Sequence, residues 1–270
     1  MNNISANPIG IFDSGIGGLT VAHAVAKTLS DENLIYFGDT AHLPYGDKST
    51  ASIQAYSIKI CDMLLKQNCK VILIACNSAS AAAYDLVKEY VGSKAKVFNV
   101  IEPVVHHVRE HYPKKTIGLI GTKQTINSNI YKKKIDELNL DIELRSLATP
   151  LLVPMIEEGF NHNQITDCVI NEYLQNELLQ NIDALILGCT HYPLIKDHID
   201  HYYNQKVDII DSSEVVAKAL KGFLEYHNLF NQAKKESMKF YISDFTKSFA
   251  DTAKRFFQEE VHLEHYPLWE

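Results

Sequence analysis

At 270 residues the chain has length for roughly two domains of about 150 residues, each able to bury its own core. Hydrophobic residues make up 46%, charged residues 22%, and the formal net charge is −7, which sets aside a basic nucleic-acid-binding surface. The longest apolar runs have strand length, too short to span a membrane, and the first eight residues lack the basic and apolar segments of a secretory signal.

Short β-rich runs alternate with longer segments of helical spacing. In chain order the runs are Ile9–Phe12, Leu34–Phe37, Val71–Ala75, Val97–Val100, Thr116–Ile120, Asp141–Leu144, Ala184–Leu187, Val207–Ile210 and Lys239–Ile242. Between them, Ile53, Tyr56, Ile60, Met63 and Leu64 form one helical stripe; Val216, Leu220, Phe223 and Leu224 form another. Such alternation predicts an α/β fold with parallel sheets covered on both faces.

Two stretches recur. Ile9-Gly10-Ile11-Phe12-Asp13-Ser14 resembles Ile117-Gly118-Leu119-Ile120-Gly121-Thr122, 108 residues on. The apolar run ending in Cys76-Asn77-Ser78 resembles the one ending in Gly188-Cys189-Thr190, and the two cysteines are 113 residues apart. Two matches at nearly one offset predict two similar α/β domains related by pseudo-two-fold symmetry, with the active site in the cleft between them. The first domain is expected to span residues 1–100 and the second 101–210. The tail, 211–270, is short for a domain and is expected to pack back on the first.

In parallel α/β sheets, ligands bind beyond the carboxyl ends of the strands. The residues there are Asp13-Ser14-Gly15-Ile16-Gly17-Gly18, the stretch from Gly38 to Gly46, Cys76-Asn77-Ser78, Gly121-Thr122 and Gly188-Cys189-Thr190-His191. Cys76 and Cys189 each end a buried run, are followed by a capping residue type, and are expected to precede a helix, where the dipole favours thiolate. One such cysteine alone reads as a small apolar residue closing a strand. Two at equivalent points of a repeat read as a pair serving one site.

The chain has five cysteines, an odd number, and no C-x-x-C spacing. Thiols of an unexported protein stay reduced and available for chemistry. Two acid–base groups on opposite faces of one carbon can invert it, one removing the Cα proton while the other returns a proton from behind. Ser14, Asn77, Ser78, Thr190 and backbone amides near Gly46 suit the carboxylates of an amino acid. Asp13 suits its ammonium group or a place beside a cysteine. His191 suits assistance to proton transfer and equally a structural role.

These stretches together resemble the glutamate racemases of the cofactor-independent aspartate/glutamate racemase superfamily. The resemblance is carried by Ile9 to Val21, Tyr36 to Gly46, Ala75 to Ser80, Val100 to Val104, Val153 to Gly159 and Leu187 to Leu194, in family order and spacing. It implies interconversion of L- and D-glutamate for peptidoglycan by a cytoplasmic homodimer, without pyridoxal phosphate or metal. It implies Cys76 as the base acting on D-glutamate and Cys189 on L-glutamate, with Asp13, Glu157 and His191 as auxiliary groups. It also implies substrate binding by Asp13, Ser14, Tyr45, Gly46, Asn77, Ser78, Thr190 and His191. Ser78 stands where the family usually has threonine, which keeps the hydroxyl and loses a methyl group. An aspartate or related amino-acid racemase is the near alternative. A two-lobed amino-acid-binding protein without turnover is the more distant one, and it would need no thiol pair.

Other signals are set aside. Gly15-Ile16-Gly17-Gly18 imitates a dinucleotide fingerprint, but Thr20 stands where the third glycine should be. His107 and His111 are four apart on a predicted helix, but no ligand set completes a metal sphere. Cys61, Cys69 and Cys168 read as packing residues, and Lys132 to Lys134 as a solvated helix face. With eight residues before the first run, no regulatory N-terminal extension is expected, and no activation by a peptidoglycan precursor.

Overall fold

The computed structural model describes residues 4–160, 164–233, 235 and 237–270; Met1 to Asn3 of the leading segment lie outside the described residues. Ten strands appear among them: β1 (Ile9–Asp13), β2 (Leu34–Gly38), β3 (Val71–Ile74), β4 (Lys96–Asn99), β5 (Thr116–Gly121), β6 (Glu143–Ala148), β7 (Ala184–Gly188), β8 (Asp208–Asp211), β9 (Met238–Ile242) and β10 (Leu263–His265). They form two sheets with every pairing parallel, in the orders β10-β9-β2-β1-β3-β4 and β6-β5-β7-β8.

The order β2-β1-β3-β4 is repeated as β6-β5-β7-β8. Even the register repeats: Ile9 lies opposite Val71 in the first sheet, and Ile117 opposite Ala184 in the second. These are the positions related by the offsets of 108 and 113 residues. The central strands β1, β2, β3 and β7 are buried at every position. That is why they read as unbroken apolar runs: helices cover both faces, so neither side of the pleat needs a polar residue.

Within β1 and β3 the side chains alternate between two cores. Ile9, Ile11, Val71 and Leu73 join the larger apolar cluster, which continues through Ile120 and Leu187 of the second sheet. Phe12, Ile72 and Ile74 face the other way, against Ile53, Ile60 and Leu64 of the helix Thr50–Lys66. The period of two assigns each sheet face to its own core.

The tail is divided. Strands β9 and β10 extend the first sheet beyond β2, and the helix Lys247–Phe257 packs on the helix Leu19–Thr28. The helix Ser212–Tyr226 also packs on Leu19–Thr28, but it touches β7 and β8 as well. It therefore contacts both repeats, through the predicted stripe of Val216, Leu220 and Leu224.

Some expectations need correction. The run expected at Asp141–Leu144 is displaced: β6 begins at Glu143 and continues to Ala148, because Arg145 and Ser146 interrupt its apolar residues on an edge strand. The three-residue β10 was not anticipated. Cys61 and Cys69 are buried, but Cys168 is exposed. The helix Gln164–Leu174 turns Thr166, Ile170 and Leu174 inward at four-residue spacing, and Cys168 falls off that stripe. No helix among the described residues is long and apolar enough to cross a membrane.

Candidate active site

Loops from the carboxyl ends of strands in both sheets converge on a cavity of about 330 Å³. Its walls include Ser14, Tyr45, Gly46, Cys76, Asn77 and Ser78 from the first repeat, and Glu157, Cys189, Thr190 and His191 from the second. Of the residues singled out from sequence, Asp13 alone is not in the wall. It is fully buried behind it.

The two thiols reach the cavity from equivalent strand ends but in unlike surroundings. Cys76 caps the helix Asn77–Val91, and its Sγ accepts the Ala79 N–H at 3.4 Å. That helix end favours thiolate, yet burial and the neighbouring Asp13 charge dominate and push the thiol well above its ordinary range. Burial therefore works against the thiolate expected at this helix end.

Cys189, unlike Cys76, does not cap an α-helix. A four-residue 3-10 helix, Tyr192–Ile195, follows it before the helix Lys196–Tyr202 begins. Its Sγ lies 3.7 Å from Nδ1 of His191, and Nε2 of the same ring lies 2.9 Å from Oε1 of Glu157. Burial alone would discharge His191, but Cys189 and Glu157 together outweigh it and raise the imidazole to about 10. An imidazolium at that distance attracts negative charge on Sγ.

Asp13 organises the turn after β1. Its Oδ2 accepts the N–H groups of Gly15 and Gly18 at 3.1 and 3.0 Å, and Oδ1 accepts the Thr190 hydroxyl at 3.5 Å. Burial raises its carboxyl above the ordinary range, opposed by the His191 charge and backbone N–H groups.

Polar groups line the remaining wall. Asn77 Oδ1 accepts the Tyr131 hydroxyl at 2.8 Å, which leaves Nδ2 buried without a hydrogen-bond partner among the described residues. A buried donor in that state is costly unless a ligand engages it. Ser78 Oγ and Thr122 Oγ1, from opposite repeats, are 2.8 Å apart. A Cβ on Gly46 would stand 2.9 Å from Thr122 Cβ, so only glycine permits this approach. Tyr45 lines the cavity, and its hydroxyl donates to Asp39 at 2.7 Å. Burial and the Asp39 charge keep it a neutral phenol.

Several wall or support residues were not predicted. Thr149 and Val153 follow β6, whose true end the sequence concealed. Lys123 follows Thr122 in the wall. Thr20 donates to the Thr190 carbonyl at 2.8 Å, tying the two repeats together.

A family model described as Asp/Glu/Hydantoin racemase matches residues 17–220. Glutamate racemase 3 of Caldanaerobacter subterraneus subsp. tengcongensis is 40% identical over 256 residues, covering 94% of this chain and 92% of the relative. The glutamate racemase of Chlorobaculum parvum is 41% identical over 258 residues, covering 95% and 94%. The crystal structure of glutamate racemase from Francisella tularensis in complex with D-glutamate has a TM-score of 0.91 at 42% identity, covering 98% of this chain and 99% of that one. The chain therefore belongs to the Asp/Glu/Hydantoin racemase family and, like the glutamate racemases it matches along its length, is an isomerase.

Proposed function

We propose that this chain interconverts L- and D-glutamate by two-base proton transfer, with Cys76 and Cys189 on opposite faces of Cα. The observation that carries the reading is the pair of thiols, at the equivalent ends of β3 and β7, in the wall of one cavity. Glutamate as the substrate is supported by the likeness to named glutamate racemases, one of them solved with D-glutamate. The cavity lies between a domain of residues 1–100 and 211–270 and a domain of residues 101–210.

From L-glutamate, the Cys189 thiolate takes the Cα proton, and the bonding electrons spread into the α-carboxylate. The Cys76 thiol then gives its proton to the opposite face. D-glutamate leaves, with Cys76 as thiolate and Cys189 as thiol. From D-glutamate the roles reverse. The His191 imidazolium, held by Glu157, steadies charge on Cys189. Asp13 acts on Cys76 through its charge and on the loop through the Gly15 and Gly18 N–H groups. The Asn77 amide, the hydroxyls of Ser14, Ser78 and Thr190, and backbone N–H groups at Tyr45 and Gly46 receive the carboxylates. These steps need neither pyridoxal phosphate nor a metal. Likeness to the family extends the reading to a cytoplasmic homodimer supplying D-glutamate for peptidoglycan.

Incubation with L-glutamate in D₂O tests it. D-glutamate bearing deuterium at Cα is expected; absence of both products would sink the racemase reading, and faster turnover of aspartate would move the substrate. Cys76→Ser and Cys189→Ser are each expected to lower racemisation by about 10³-fold or more, since a hydroxyl ionises far less readily than a thiol.

A further inference from the structure

Asp39 follows β2, is fully buried, and lies outside the cavity wall. Its carboxylate meets four side chains, two from its own loop and two from the distant C-terminal region. Tyr45 donates its hydroxyl to Oδ2 at 2.7 Å, and His42 Nδ1 lies 3.0 Å from the same oxygen. Ser243, beyond β9, donates its hydroxyl to Oδ1 at 2.8 Å. Trp269, 230 residues along the chain from Asp39, donates its indole N–H to Oδ1, also at 2.8 Å.

The indole is held as firmly as its N–H. Its ring meets His42 edge-on at 4.4 Å and Tyr56 at 5.5 Å, and Lys59 Nζ stands 4.7 Å from its centroid. His42 stacks on Tyr56 at 4.1 Å. The segment after β10 is thus pressed against the back of the loop that carries Tyr45 and Gly46 into the cavity.

We propose that Trp269 is a positioning residue for substrate binding: through Asp39 it holds Tyr45, and with it Gly46, in the cavity wall. The inference rests on the glutamate reading above. Tryptophan suits the place because it combines a single N–H donor with a broad apolar face. A hydrogen bond from it to a buried carboxylate is of the stronger, charge-assisted kind. The loop it supports packs toward Thr122 and the helix Lys123–Asn127, not toward the His191–Glu157 pair beside Cys189. Loosening it weakens substrate and transition state alike, which raises KM and spares kcat.

Trp269→Phe keeps an aromatic ring against His42 and Tyr56 and removes the N–H with part of the indole's area. It is expected to raise KM for both enantiomers about tenfold, with kcat within about twofold of wild type. Ser243→Ala, which removes the other donor to Oδ1, is expected to shift KM in the same direction. Calorimetric titration with glutamate reads the same loss as a Kd weakened about tenfold, without relying on turnover. An unchanged KM and Kd in folded Trp269→Phe, or a fall in kcat alone, overturns the inference while wild-type racemisation stands. A wild type that neither racemises nor binds glutamate overturns the functional reading and this inference with it.

Discussion

The Sγ of Cys189 lies 3.7 Å from Nδ1 of His191, while Cys76, at the matching strand end, accepts the backbone N–H of Ala79. The repeat makes the thiols equivalent in position, and their neighbours make them unequal in chemistry. One is paired with a cation; the other is buried beside an aspartate.

The imbalance has a kinetic consequence. The enantiomers have equal free energy, so kcat/KM must stay equal in both directions for any variant. His191→Asn is expected to slow proton transfer at Cys189 by about 10²-fold, making that step limiting. In the proposed mechanism Cys189 breaks the labelled bond of α-deuterated L-glutamate, and the primary isotope effect on kcat/KM should grow. With α-deuterated D-glutamate, the proposed base Cys76 breaks it in a step that has become reversible, and the effect should shrink. Equal isotope effects from both enantiomers would remove Cys189 from its role with the L-isomer.

The His191–Glu157 pair makes stability depend on pH. The imidazole stands at about 10 in the folded chain against an ordinary value of 6.5. Because the folded value is the higher, the stabilisation is complete below about 6.5 and is lost as pH rises through about 10. Glu157→Gln removes one of the two groups that raise it, so the stabilisation should be smaller and its loss complete at lower pH. Melting temperatures across the alkaline range test this, as does the alkaline limb of the rate profile, which should move the same way. Profiles that superimpose for wild type and variant would show that Glu157 does not hold the charge on His191.

Gly17 is where the two repeats touch behind the cavity. A Cβ there would overlap the His191 ring and stand 2.6 Å from Thr190 Oγ1. Gly17→Ala should therefore displace both side chains and lower kcat/KM by about 10²-fold, the scale for misplacing a catalytic group by about 1 Å. Full activity in the folded variant would mean that His191 can shift without consequence.

How much of this was legible in sequence depended on whether the signal was local. The buried central strands were legible, because a strand covered on both faces must be apolar throughout. So were the cysteines: each lies within two residues of the end of such a strand, and the repeated register carries the match from Ile9 and Val71 to Ile117 and Ala184. The edge strands β6 and β10 were not. β6 is broken by Arg145 and Ser146, so its end was misplaced and Thr149 was missed.

The sequence by itself determined the α/β class, the duplication, and the residues at the strand ends, because each is written in short-range patterns of polarity and spacing. Tertiary structure alone decided what those residues meet. Tyr131 orients Asn77, Thr20 grips Thr190, and Trp269 reaches Asp39, all across long separations in the chain. It also decided the difference between the thiols, because only the folded chain brings His191 beside Cys189 and Asp13 beside Cys76.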